Sequence, residues 1–161
     1  MARKSKSELG KNEVTISHEE FDQFLRGLVL KDVSPVLLHA ELQAGSNLGK
    51  AVELEFGERA TLIRASKTEA IAQVGFAVRV VRPNSDEPLA QFQTVYQVTY
   101  LTEQTMTQQC FDQLRKVTLR IHTVPFAREW IRETSARLGL KPIVLPLSIA
   151  HPAAVPRQKA E

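Results

Sequence analysis

The sequence has a single cysteine, Cys110, so no intrachain disulfide is available, and a reducing, cytoplasmic setting is expected. No apolar run approaches the roughly 18 residues that a membrane-spanning helix needs. The N-terminal stretch MARKSKSELGKNEV is basic, but no hydrophobic segment follows it, so it does not read as a secretory signal. The four histidines, His18, His39, His122 and His151, fall at neither HxxxH nor HExxH spacing. With one cysteine they make no zinc set, and no metal or other cofactor is expected. The glycine patterns GxGxxG, GxxxxGK[ST] and GxSxG are also missing. Cys110 stands beside Phe111 on an apolar stripe, which suits a small buried residue better than a nucleophile. Glu129 and Glu133 alternate with Arg128 and Arg132 at helical spacing, the pattern of a solvated or inter-subunit face rather than a general base. Nothing here predicts an enzyme.

The basic character is concentrated at the ends. The whole chain holds 21 Lys and Arg against 18 Asp and Glu. Setting aside residues 1–11 and 156–161 leaves 15 basic and 16 acidic side chains, a body at −1. Within that body, residues 12–111 are net −5 and residues 112–155 net +4. The two parts can attract each other within or between subunits. A dedicated DNA-binding face would instead gather Lys and Arg on one exposed stripe. A basic nucleic-acid-binding or scaffold protein is therefore the alternative from another class, and it would act through the tails.

Residues 1–15 read as a flexible charged tail, 16–150 as one domain, and 151–161 as a second tail. Ser17 followed by Glu20 is a candidate capping box, and Phe21, Phe24, Leu25 and Leu28 keep helical spacing, so a short helix is expected over 17–25. Residues 25–42 read as extended, with Pro35 marking a bend or bulge and Leu37, Leu38 and Leu42 beside it in a strand-to-loop crossover. AVELEF (51–56) alternates apolar and acidic residues. Val74, Phe76, Val78 and Val80 recur at period two, and RPNSDEP (82–88) makes a hairpin turn into LAQFQTVYQVTYL (89–101). On that strand Phe92, Tyr96, Val98 and Tyr100 lie on one side. Gln91, Gln93, Gln97 and Thr99 lie on the other, facing water or another subunit.

After Thr102 the period turns helical, with Phe111, Leu114, Thr118 and Ile121 on one stripe. Pro125 should distort or interrupt the helix, and Ala127, Ile131, Thr134 and Leu138 continue beyond it until Gly139 stops it. KPIVLPLSIAHPAAVP is then extended and proline-punctuated. Strands grouped ahead of helices give an α+β class, several antiparallel strands and then one long helix packed on one sheet face. Leu37, Leu38 and Leu42, and later Ile143, Val144, Leu145, Leu147 and Ile149, place much apolar surface in segments expected to be irregular. Loops run over the surface, so such residues are covered by the fold, packed in an oligomer, or left open to bind something apolar.

VPFAREWIRETSARLGLKPIVLPL (124–147) and LVLKDVS (28–34) resemble the SecB family of bacterial export chaperones, and the elements follow that family's order over about residues 22–149. The resemblance implies a four-stranded antiparallel sheet with the long helix on one face, and a tetramer built as a dimer of dimers around the long helices. It implies a holdase that uses no ATP and keeps unfolded or nascent chains competent for export or assembly. Carried onto this chain, the client-binding residues are Leu37, Leu38, Leu42, Val52, Leu54, Phe56, Leu145, Leu147 and Ile149. The oligomer contacts are Phe111, Leu114, Ile121, Phe126, Trp130 and Ile131. Asp32 matches a carboxylate that docks on the SecA motor, but Val36 and Gln93 stand where export members carry two more. With the basic tails and no evident helix after residue 150, that leans towards SecB-like chaperones that serve one client, such as an antitoxin.

Overall fold

A computed structural model describes residues 16–45 and 51–146. The two terminal tails, Leu147 and Ile149 lie outside the described residues.

The sheet is built outward from a central hairpin. Strands β3 (Glu69–Val81) and β4 (Pro88–Leu101) are joined by a turn in which Asn84 takes a left-handed φ of 64°. β2 (Glu53–Ala65) pairs with β3, and β1 (Val29–Leu42) pairs with β4, all antiparallel, giving the order β1-β4-β3-β2. The period-two pattern decides which face is covered. Ala70, Ala72, Val74, Phe76, Val78 and Val80 are buried, and they oppose Tyr100, Val98, Tyr96, Thr94, Phe92 and Ala90 across the central pair. Directly opposed residues point to the same side of a sheet, so one face carries the core. The other face holds the half-exposed Gln73, Gly75, Ala77, Gln91 and Gln97.

β1 is extended with a bulge at Pro35, as expected, but the crossover is not there: the strand runs through Pro35 for 14 residues and does not leave the sheet. Leu37, Leu38 and Leu42 are therefore not in a crossover loop; they pair with Val95, Thr94 and Ala90. Two bulges leave Lys31 and Val36 without a partner on β4. An edge strand tolerates a residue without an N–H, and a bulge absorbs the local bend.

Helix α1 (His18–Arg26) starts where the capping box places it. The Ser17 Oγ accepts from the Glu20 N–H at 3.3 Å, and the Glu20 carboxylate accepts from the Ser17 N–H at 3.1 Å. The expected single long helix is two: α2 (Gln108–Leu114), capped by Thr107, and α3 (Thr118–Arg137). Leu114 and Leu119 are both fully buried. On an unbroken helix they would stand about 140° apart, so the break at 115–117 is what lets both reach the core. The expected stripe through Thr118 and Ile121 gives way to Leu119, Thr123, Val124, Ala127 and Ile131, and Ile121 is left 65% exposed. Pro125 interrupts nothing, since α3 continues through it. Pro125 and Ile121 both lie on the exposed side, where water can replace the donor that the Ile121 carbonyl lacks. Gly139, with φ 79°, ends the run.

Candidate functional site

The covered face is not covered evenly. α3 lies against β4 and β1. Its His122 Nδ1 sits 2.8 Å from the Tyr100 hydroxyl, and its Phe126 ring packs on Tyr96 with centroids 6.1 Å apart. Burial holds the His122 imidazole below its ordinary pKa and pushes the Tyr100 phenol well above its own. The neutral imidazole is thus favoured, and it can accept the phenol's hydrogen bond. The register places Pro35 opposite Tyr96 and Leu38 opposite Thr94, on the same face as Phe126. Phe126 remains 51% exposed and Leu38 43% exposed. Phe126 on α3, Tyr96 beneath it and Leu38 on the β1 edge share one sheet face and outline a candidate apolar trough. Ala40 and Leu42, half-buried, follow along the same face of the strand.

The residues singled out from the sequence do not form one patch. Leu37 opposes Val95 on the uncovered face, so it is turned away from Leu38. Leu54 and Phe56 are on the covered face, opposite Val80 and Val78, but at the β2 edge. With β4 and β3 in between, that is roughly 14 Å from β1. Val52, Leu54 and Phe56 are half-buried against the core cluster. Leu145 is only 5% exposed and Ile143 only 6%, so neither offers open surface.

The oligomer set divides as well. Phe111, Leu114 and Ile131 are at most 1% exposed within a single chain, which corrects their placement at a subunit contact: their surface is already spent on the protomer's own core. Ile121 and Phe126 are exposed and Trp130 half-buried. Residue spacing alone does not say whether an apolar side chain meets its own sheet or another chain. Phe126 was grouped with the oligomer contacts for that reason, and its place beside Tyr96 becomes visible only once the sheet register is known.

Charges lie around the trough rather than in it. Arg120 of α3 reaches Glu58 of β2 at 2.8 Å, with side chains 17% and 24% exposed. Burial raises the Glu58 carboxyl and lowers the Arg120 guanidinium, in both cases against their mutual attraction. On the uncovered face, Glu69 is shared by Lys31 at 3.2 Å and Arg64 at 2.6 Å, and both hold its carboxyl below the ordinary range. Asp32 opposes Thr99 on that face, near the neutral Ser34 and Gln97. Glu129 is bonded to Arg132 on the exposed side of α3 and has no acid–base partner. Cys110 is buried. Among the described residues no three His, Cys, Asp or Glu side chains come together as a metal site, and no helix is long and apolar enough to cross a membrane.

No protein-family model matches the sequence, and no curated protein sequence matches it. Solved structures do. The chain is similar to the SecB-like chaperone Rv1957 of Mycobacterium tuberculosis, solved in complex with a ChAD peptide from the Rv1956 HigA1 antitoxin. The TM-score is 0.63 at 13% identity, over 76% of this chain and 91% of that one. It also matches a protein of unknown function from Streptococcus agalactiae, with a TM-score of 0.45 at 10% identity, over 74% of this chain and 96% of that one. At such identities the likeness concerns the fold. The α+β chain, with its β1-β4-β3-β2 sheet, has the fold of a SecB-like chaperone.

Proposed function

We propose that this chain is an ATP-independent holdase that keeps a non-native polypeptide in the apolar trough formed by Leu38, Tyr96 and Phe126. The observation behind this is a half-exposed phenylalanine of α3 packed on Tyr96, with the half-exposed Leu38 of the edge strand on the same sheet face. Contacts of that kind are weak one by one and tolerant of sequence, which suits a holdase. A client that is one dedicated protein, such as an antitoxin, fits better than delivery to the SecA motor. Asp32 is the single carboxylate at the three positions matched to motor docking, with Val36 and Gln93 at the others, and the similar chaperone Rv1957 was solved with an antitoxin peptide. Val117 and Ile121, exposed one turn apart at the start of α3, are the surface through which copies associate, as a tetramer.

The test is suppression of aggregation of an unfolded client by the full chain at stoichiometric ratio, with Leu38→Asp and Phe126→Asp as variants. Each removes a half-exposed apolar contact worth about 1 kcal/mol on burial and should weaken binding roughly fivefold. No suppression by the wild-type chain, or full suppression by both variants, would sink the trough.

A further inference from the structure

His122 uses only one of its two ring nitrogens. Nδ1 meets the Tyr100 hydroxyl at 2.8 Å, and the ring makes no other hydrogen bond among the described residues. Nε2 is not sealed off either. The side-chain atoms buried there without a partner are the Thr94 hydroxyl and the Arg120 Nε; His122 Nε2 is not one of them, so it reaches solvent.

Tyr100 decides where the ring carries its hydrogen. Its side chain is fully buried, and His122 is the one partner its hydroxyl has among the described residues. A phenol that accepted from Nδ1–H would leave its own O–H without an acceptor in the core, which costs more than an unused lone pair. The phenol therefore donates to Nδ1, and the neutral ring bears its hydrogen on Nε2. The two rings lie with centroids 5.7 Å apart, so Tyr100 also holds the imidazole in place.

The outward N–H stands beside the trough. His122 precedes Phe126 by one turn of α3, and residues four apart are neighbours on a helix surface. Tyr100 and Tyr96 share the covered face of β4, and the half-exposed Leu30 of β1 opposes Tyr100. Four helical residues advance about 6 Å, close to the roughly 7 Å repeat of an extended chain. A chain that seats a side chain at Phe126 thus brings the peptide unit two residues on level with His122.

We propose that the His122 Nε2–H donates to a backbone carbonyl of an extended, non-native client, with Tyr100 as the positioning residue that fixes the ring. This rests on the holdase function proposed above and adds its polar specificity element. Carbonyls of a folded protein are paired in its own secondary structure, whereas those of an unfolded chain are free to accept. A fixed donor beside apolar contacts therefore selects unfolded segments without reading their sequence.

Long-range proton–nitrogen NMR of the imidazole tests this on the full chain, with reduced, carboxymethylated α-lactalbumin as the unfolded probe. At pH 8 the free protein should show a neutral His122 with its hydrogen on Nε2, and saturating probe should move that proton downfield and slow its exchange with water. A hydrogen on Nδ1, or an Nε2 signal that the probe leaves unmoved, overturns the proposal. Probe affinity is the second readout. Asparagine places a polar atom near Nδ1 and none near Nε2, whereas glutamine reaches Nε2. His122→Asn should therefore weaken binding about fivefold, the loss of one hydrogen bond, and His122→Gln should bind within about twofold of wild type. Undiminished binding by a folded His122→Asn, or an equal loss in both variants, counts against the donor. Should neither variant fold, the NMR result on the wild type decides. Probe binding that Leu38→Asp weakens and His122→Asn does not sinks the role of His122 alone. No binding by the wild type sinks this proposal together with the holdase.

Discussion

The Tyr100–His122 contact shows what a single buried polar pair asks of its surroundings. The Tyr100 side chain is fully buried, and the imidazole on α3 is the partner its hydroxyl finds. Burial lowers the His122 pKa below its ordinary 6.5, so the unfolded chain takes up a proton there before the folded one does. The stability this group contributes is present above 6.5 and is lost as pH falls through the lowered folded value. Tyr100→Phe should cost about 1 kcal/mol in urea melts at pH 8, and His122→Gln should flatten the decline in midpoint between pH 7 and 5. Glu58 has the opposite sign. Its carboxyl is raised from 4.5 by burial, so its contribution is fully present below 4.5 and is lost as pH climbs through the raised value. Glu58→Gln stands in for the protonated carboxyl, so in the same melts it should keep its stability as pH climbs above 4.5, where the wild-type chain loses the Glu58 contribution; a variant that declines as steeply as the wild type would remove Glu58 from the pH dependence. Neither pair could be read from the sequence. Residues 22 and 62 apart along the chain meet only through sheet order, whereas the Ser17–Glu20 capping box and the Gly139 stop are local and were legible.

Elements were legible where their period was strong. β3 and β4 appear where alternation predicts them, because both are central strands whose covered face is continuous. The crossover expected after Pro35 and the interruption expected at Pro125 are both missing, for related reasons. Proline is a strong local signal, but its cost depends on whether the missing N–H was needed. At Pro35 an edge strand did not need it, and at Pro125 the exposed side of α3 can turn to water. The actual break, at 115–117, carries no proline or glycine; it is set by the competing demands of Leu114 and Leu119 on one core. Since Pro125 lies exposed within a helix of 20 residues, Pro125→Ala restores a hydrogen bond at no steric expense. It should stabilise the chain by about 1–3 kcal/mol, seen as a rise in thermal midpoint, and leave client affinity unchanged unless the proline aims Phe126 at Tyr96. A loss of affinity together with the gain in stability would assign Pro125 to the trough.

At the scale of the whole molecule the sheet separates two kinds of apolar surface. On the covered face Leu38 stands half-exposed at the β1 edge, Leu54 and Phe56 half-buried at the β2 edge, and Val117 and Ile121 are exposed at the start of α3. The sequence revealed that apolar residues are in excess, but not this partition, because assigning a residue to a face needs the register of strands far apart in the chain. The partition makes oligomerisation and client binding separable. On the proposed function, copies joined through Val117 and Ile121 would leave every trough open, and several weak troughs on one particle would hold a long client by raising its effective concentration. Ile121→Asp should therefore convert the assembly to smaller species in sedimentation velocity without lowering the thermal midpoint, since the side chain is already exposed. Affinity for a peptide short enough to fill one trough should stay within about twofold, whereas affinity for a full-length unfolded chain should drop by tenfold or more. An equal loss for both ligands would place Ile121 in the client surface itself, and no change in sedimentation would remove α3 from the subunit contact.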